Sequence, residues 1–245
     1  MAFDQAGLDR ALARPVRFFE TCGSTNRVAA ELAAAGAPGG TLVVADAQTA
    51  GRGRLARAWS SPPGLNLYFS LVLRPDIPGD RAPLICLAAA AGLTDALPAL
   101  RIKWPNDLLG PDGRKISGIL ASVTLAGARV DASVVGVGVN VNQRDFPAHL
   151  SAAGSLALID GERDRVALLG ALADAVEARV LELEGGGDGT LEVCRERSAT
   201  LGRAVRVGDV VGRAVALRDD GALLIDTGAG VVAVLTGDVE MVEGL

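Results

Sequence analysis

Short apolar runs with two-residue alternation and longer stretches with helical spacing take turns along this chain, which predicts a mixed α+β protein. Residues 16–20 alternate weakly and read as a first strand. Ser24-Thr25-Asn26 offers N-cap side chains to a helix through Arg27-Val28-Ala29-Ala30-Glu31-Leu32, stopped by Gly36 with Pro38 beyond. Residues 41–46 and 66–74 read as strands, the first delivering Gln48 and the second carrying Tyr68 and Phe69. Asp80 is placed to cap a long helix over 81–97, and a strand over 100–104 leads into Pro105-Asn106-Asp107. Turn residues Pro111-Asp112-Gly113-Arg114 predict a hairpin between Leu108-Leu109 and 115–125. A second turn, Ala126-Gly127-Ala128, leads to a strand over 130–139, and residues 162–184 show the spacing of an amphipathic helix.

The pattern changes at Gly185-Gly186-Gly187-Asp188-Gly189, the best domain boundary in the chain. After a further short helix, residues from 203 onward form short strands broken by Gly208-Asp209, Asp219-Asp220-Gly221 and Thr227-Gly228-Ala229-Gly230. They predict a small antiparallel barrel of about 45 residues, too small to fold comfortably alone and so packed on the larger unit. The expected domains are 1–189 and 190–245, with no internal repeat. Gly51-Arg52-Gly53 lacks the third glycine and the acidic partner of a dinucleotide-binding turn, which argues against a Rossmann arrangement.

Hydrophobic residues make up 49% of the 245, enough for a sizeable core. No apolar run reaches the ~18 residues that span a bilayer. Met1-Ala2-Phe3-Asp4-Gln5 lacks the basic start and apolar run of a secretory signal, so a cytoplasmic protein without membrane attachment is expected. Cys22, Cys86 and Cys194 stand far apart and read as reduced, buried thiols. A single histidine, His149, leaves no two-histidine metal site within one chain and no Ser–His–Asp arrangement. Any catalysis must rest on Lys, Arg, Asp and Asn.

Against a net charge of −5, the stretch Ala50-Gly51-Arg52-Gly53-Arg54-Leu55-Ala56-Arg57-Ala58-Trp59 concentrates positive charge. Glycine permits close backbone approach and arginine forks bind carboxylate or phosphate, so a small anionic ligand fits better than a long polyanion. A solvated surface loop is the competing reading. Lys103-Trp104-Pro105-Asn106-Asp107 sets a cation, an amide and a carboxylate at a strand end fixed by proline, suited to base readout and to a Mg²⁺-assisting carboxylate, or to an ordinary Asx-turn. In the run Lys115-Ile116-Ser117-Gly118-Ile119-Leu120, strict alternation puts Lys115 with Ser117 and Ile119, opposite Gly118. Gly118, Gly136 and Gly138 suggest backbone running against something flat, and Trp59 is placed either to stack on a ring or to plug the loop onto the core.

In this order, Ser24-Thr25-Asn26, Gln48 with the Gly-Arg-Gly-Arg loop, Trp59, Asn66-Leu67-Tyr68, Lys103-Trp104-Pro105-Asn106-Asp107, Lys115 to Leu120 and Gly136-Val137-Gly138-Val139-Asn140 resemble a biotin protein ligase, strongly over 16–142. The resemblance implies a class II synthetase-like (biotin–lipoate ligase) catalytic domain and a C-terminal SH3-like barrel. It implies activation of biotin by ATP to biotinyl-5′-AMP with Mg²⁺, then transfer to a lysine of the biotin carboxyl carrier domain of acetyl-CoA carboxylase or a related carboxylase. Lys115 and Arg54 would be catalytic. Ser24, Thr25, Asn26, Gln48, Gly51, Arg52, Gly53, Arg54, Tyr68, Lys115, Gly118, Gly136 and Gly138 would surround biotin. Arg52, Arg54, Arg57, Trp59, Lys103, Asn106 and Asn140 would serve ATP or the adenylate, with Asp107 a metal contact by way of the phosphates.

Two departures qualify the resemblance. Ala56 stands where family members commonly carry a second loop glycine, which bears on loop closure. The roughly 15 residues before the first strand are too few for a winged-helix DNA-binding domain of the size a small domain requires, and with a net acidic chain no operator binding is expected. A lipoate or octanoate ligase, or a non-catalytic biotin sensor, are the rival readings. The sequence accommodates a monomer or a homodimer.

Overall fold

The computed structural model of the protein describes residues 3–242. The outermost residues of the two expected domain ranges, and Met1-Ala2 of the leader reading, lie outside them. A seven-stranded sheet runs in the order β1-β2-β3-β7-β6-β5-β4. Its strands are β1 (Val16–Cys22), β2 (Leu42–Gln48), β3 (Leu67–Leu73), β4 (Arg101–Lys103), β5 (Asp107–Leu109), β6 (Lys115–Ala126) and β7 (Arg129–Val139). Among the described residues β1–β2 is the one parallel strand pair of this sheet. The helices are α1 (Gln5–Ala11), α2 (Thr25–Ala34), α3 (Leu84–Ala96), α4 (Leu156–Ile159), α5 (Arg165–Glu182) and α6 (Asp188–Glu196). A separate five-stranded antiparallel sheet stands where the small barrel is expected, built from β8 (Ala204–Val207), β9 (Val210–Leu217), β10 (Leu223–Asp226), β11 (Val231–Val234) and β12 (Glu240–Met241).

Alternation along the central strands sorts the two faces. Leu42, Val44, Phe69, Leu71, Val135 and Val137 enter the main core with α3 and α5. The in-between residues Val43, Val72, Ala132 and Val134 meet Ala29 and Ala33 of α2 on the opposite face. Helix α2 covers only part of that face. At its N-terminus the alternation continues as Gly136, under the Asn26 side chain, and Gly138, under Trp59, and past this point no helix covers the sheet.

Helix α3 is apolar nearly all round because it is enclosed between the sheet, α5 and α6. A Cβ at Gly92 would lie 2.4 Å from the carbonyl oxygen of Ala175 on α5, so only glycine allows this approach. Gly92→Ala is expected to destabilise the fold by about 1–3 kcal/mol through overpacking, read as a lower Tm in thermal unfolding.

Several local readings are corrected. Asp80 does not cap α3; it sits in a separate 3₁₀ turn, Gly79–Arg81, and Pro83 takes the N-cap position. Helix α1 precedes the first strand expected from the sequence, and its first turn is capped by Asp4, whose carboxylate accepts from the Gly7 N–H at 2.7 Å. Cys194 is buried, but Cys22 and Cys86 are half-buried. Burial pushes the thiols of Cys86 and Cys194 up to about 12, so both stay protonated at neutral pH.

The C-terminal sheet docks on the β4 end of the main sheet. The Trp104 indole N–H donates to Gly221 O, in the turn between β9 and β10, at 3.0 Å, and Ile102 N–H donates at 2.8 Å to Arg197 O at the end of α6, which leads into that sheet. Trp104 is therefore a buried joint between the two sheets rather than a site residue. No helix among the described residues is long and apolar enough to cross a membrane.

Candidate functional site

The part of the sheet that no helix covers is the floor of a cavity of about 1140 Å³, counting the space open to solvent. Its centre is a set of three glycines. Gly118 of β6 faces Gly138 of β7, and Gly136 lies two residues back on the same strand. A Cβ at Gly136 would lie 1.7 Å from Asn26 Oδ1, and one at Gly138 would lie 2.5 Å from the Trp59 ring. The glycines let an amide and an indole lie directly on the backbone.

At the start of α2 the expected side-chain cap is replaced. Ser24 has the extended backbone of an N-cap but makes no capping hydrogen bond. Gln48, at the end of β2, reaches across instead, its Oε1 accepting from Thr25 N at 2.9 Å and Thr25 Oγ1 at 3.2 Å. Its Nε2 donates to Ser61 Oγ at 3.0 Å, joining helix, strand and loop. Asn26 donates to Leu120 O at 3.0 Å, and its Oδ1 lies 2.5 Å from the hydroxyl of buried Ser70.

Lys115 reaches the floor by a route that strict alternation misses. On β5 one step, Leu108 to Leu109, faces two steps on β6, Ser117 to Lys115, so Ile116 is an extra residue and the strand bulges. The bulge turns the Lys115 side chain onto the Gly118 face, where its Nζ lies 3.3 Å from the position a Gly118 Cβ would take. That amine sits 5.3 Å from the Trp59 ring centroid and 2.7 Å from Asp107 Oδ1.

The Gly-Arg loop forms the outer wall. Gly53 N–H donates to Arg57 O at 2.7 Å across a tight turn in which Leu55 and Ala56 have φ of 52° and 59°. Both are non-glycine residues in the left-handed region, so Ala56 adopts the conformation that a glycine would favour. Arg54 Nη1 donates to Asn106 Oδ1 at 3.1 Å and to Gly237 O at 3.2 Å, and Nη2 donates to Thr236 Oγ1 at 2.9 Å. Asn106 spends its own NH₂ on Ile119 O at 3.0 Å, and Asn140 spends its on Gly154 O at 2.9 Å.

Of the expected residues, Ser24, Thr25, Asn26, Gln48, Arg52, Gly53, Arg54, Arg57, Trp59, Asn106, Asp107, Lys115, Gly118, Gly136, Gly138 and Asn140 line this cavity. Gly51, Tyr68 and Lys103 do not. Gly51 is packed beneath the loop, where a Cβ would lie 2.7 Å from Trp59 O. The Tyr68 hydroxyl donates to Pro62 O at 3.0 Å and accepts from Asn66 Nδ2 at 3.1 Å. Lys103 sits on β4, near the edge that meets the C-terminal unit. Sequence reasoning missed Gln143, Phe146, Leu150 and Ala153, which come from the loop after β7, and Asp238 from the C-terminal unit. None belongs to a motif, and only the fold brings them here.

Cations Arg52, Arg54, Arg57 and Lys115 outnumber the carboxylates Asp107 and Asp238 around the cavity. It is suited to anions. Among the described residues no three His, Cys, Asp or Glu side chains come together to hold a metal ion. Asp107, 2.7 Å from the Lys115 amine, is a single carboxylate, so this donor set would not hold a magnesium ion without the phosphates.

Fold and cavity together define an anion-handling α+β domain with a small antiparallel unit docked beside it. Residues 18–140 match the Biotin/lipoate A/B protein ligase family, and residues 200–242 match the Biotin protein ligase C terminal domain. The chain is 34% identical to the biotin–[acetyl-CoA-carboxylase] ligase of Mycobacterium tuberculosis, over 89% of this chain and 85% of that protein. It is 38% identical to the bifunctional ligase/repressor BirA of Bacillus spizizenii, over 89% of this chain and 71% of the relative. The solved biotin protein ligase from Aquifex aeolicus in complex with biotin and ATP matches with a TM-score of 0.76 at 28% identity, covering 94% of this chain and 99% of that one. This chain belongs to the biotin/lipoate A/B protein ligase family.

Proposed function

We infer that the protein is a biotin–[biotin carboxyl carrier protein] ligase, which adenylates biotin with ATP and passes the biotinyl group to a carrier lysine. The observation that carries this reading is the convergence of Lys115, Arg54 and Arg57 on one cavity floored by glycine. A carboxylate oxygen of biotin attacks the α-phosphorus of ATP, forming biotinyl-5′-AMP as the bond to pyrophosphate breaks. The neutral amine of the acceptor lysine then attacks the activated carbonyl, an amide forms, AMP leaves with the bonding pair and the amine's proton passes to solvent. The first step brings two anions together, and unit charges at 4 Å repel by about 4 kcal/mol at an effective dielectric constant of 20.

Fixed cations offset this repulsion. Lys115 is held at the floor by Asp107 and Trp59, ready for the carboxylate and α-phosphate, while Arg54 is held at the wall. Magnesium brought in with ATP would supply further charge neutralisation on the phosphates. The loop and Trp59 cover the floor and shield an adenylate from water. Incubation with biotin, MgATP and a biotin carboxyl carrier domain, followed by intact-mass spectrometry, should show one biotinyl group added to the carrier. An unmodified carrier, with biotin adenylate formed in the same mixture, would remove the transfer step; no adenylate at all would remove the whole reading.

A further inference from the structure

The Gly-Arg loop does not face an empty cavity mouth, because an anion from the C-terminal unit is already there. Asp238 follows β11 in the C-terminal unit and lines the cavity. Its Oδ2 lies 2.6 Å from Arg57 Nη2, and its Oδ1 lies 3.9 Å from Arg54 Nη1. The two arginines are held differently. Arg54 has neutral acceptors in Asn106, Thr236 and Gly237, whereas among the described residues the 71%-exposed Arg57 side chain pairs with Asp238 alone. The close approach to Arg57 lacks hydrogen-bond alignment, so charge alone holds it.

We propose that Asp238 is an exchange anion for the loop arginines: it neutralises Arg57 and Arg54 in the free enzyme, yields them to the incoming polyphosphate, and takes them back as pyrophosphate leaves. This rests on the reading that ATP phosphates enter this cavity. Two effects of the carboxylate oppose each other. It preorganises Arg57, but an exposed ion pair is worth little. It also repels every phosphate that approaches the same guanidinium groups, and in a partly closed cavity that repulsion is the larger effect. Asp238 thus weakens polyphosphate binding and favours release of the product. It is a positioning residue, since it acts through the arginines.

Calorimetric titration of the full chain with inorganic pyrophosphate tests the proposal without requiring turnover. Asp238→Asn keeps the shape and removes the charge, and is expected to bind pyrophosphate about 3- to 10-fold more tightly, with KM for ATP falling in parallel and biotin affinity unchanged. Asp238→Glu should restore the original affinity. In an Arg57→Ala background, Asp238→Asn should gain less than it does alone, because the principal shared partner is gone. Unchanged or weaker pyrophosphate binding by a folded Asp238→Asn protein would overturn the proposal. Should that variant not fold, Arg57→Ala alone decides: it must weaken pyrophosphate binding, and no change would equally overturn it. Failure of carrier biotinylation would count against the ligase reading and leave this comparison interpretable.

Discussion

Replacing Lys115 by alanine is expected to lower the rate of biotin adenylation by about 100- to 1000-fold, the scale seen when one preorganised charge-stabilising group is removed. Biotin affinity should change far less, because the cavity floor of Gly118, Gly136 and Gly138 and the Asn26–Gln48 network remain in place. The loss has two parts. The cation that neutralises the reacting anions is gone, and Asp107, 2.7 Å from the Lys115 amine in the intact protein, is left as an uncompensated carboxylate facing the phosphates. Pre-steady-state formation of the adenylate, set beside equilibrium biotin binding, separates these from a binding defect. Equal losses in both measurements would contradict a catalytic role for this lysine.

Gly136→Ala carries the second large effect. The added methyl would fall 1.7 Å from Asn26 Oδ1 and 2.4 Å from Asn26 Cγ, well inside contact distance. Asn26 has little freedom to yield, since its amide bonds Leu120 O and Ser70 Oγ. The mutation must therefore displace the start of α2 or the amide itself, at a cost of about 1–3 kcal/mol in stability. Biotin affinity should fall at least about tenfold, the equivalent of about 1.4 kcal/mol at the binding site. Thermal unfolding and calorimetric biotin binding read the two effects separately. A variant with unchanged biotin affinity would show that the glycine floor is not where biotin lies.

Much of the main sheet was legible because its strands are buried on one or both faces, so alternation and turn chemistry are both strong. The hairpin from Leu108-Leu109 through Pro111-Asp112-Gly113-Arg114 and the turn at Gly127 have the expected form. The glycines were legible as points of close approach, and the structure gives the reason: the strand face that carries Val134 under α2 carries Gly136 and Gly138 where the helix ends. Lys115 was found through its motif, but its orientation was not. A β-bulge is a mismatch between two strands, and a single strand's alternation contains no record of it.

The cap at α2 was misread for a similar reason. Ser24 has the right chemistry at the right position, yet Gln48 on another element satisfies the Thr25 N–H. Asp238 was the least accessible of all. Thr236-Gly237-Asp238 belongs to no motif, and nothing local says that this segment meets a loop 182 residues earlier in the chain, as the Arg54–Thr236 contact reveals with Arg57–Asp238 beside it. Lys103 and Trp104 show the reverse case. They share a compact motif with Asn106 and Asp107, but β4 turns its neighbours toward the second sheet, where Trp104 meets Gly221.

The central claim is that cations gathered on one glycine floor let a carboxylate and a nucleotide phosphate meet. Biotin-dependent exchange of labelled pyrophosphate into ATP measures that meeting directly, with lipoate as the competing acid. Rapid exchange with biotin, none without an acid and none with lipoate is the expected result. Exchange that runs equally well with lipoate, or without any acid, would contradict it.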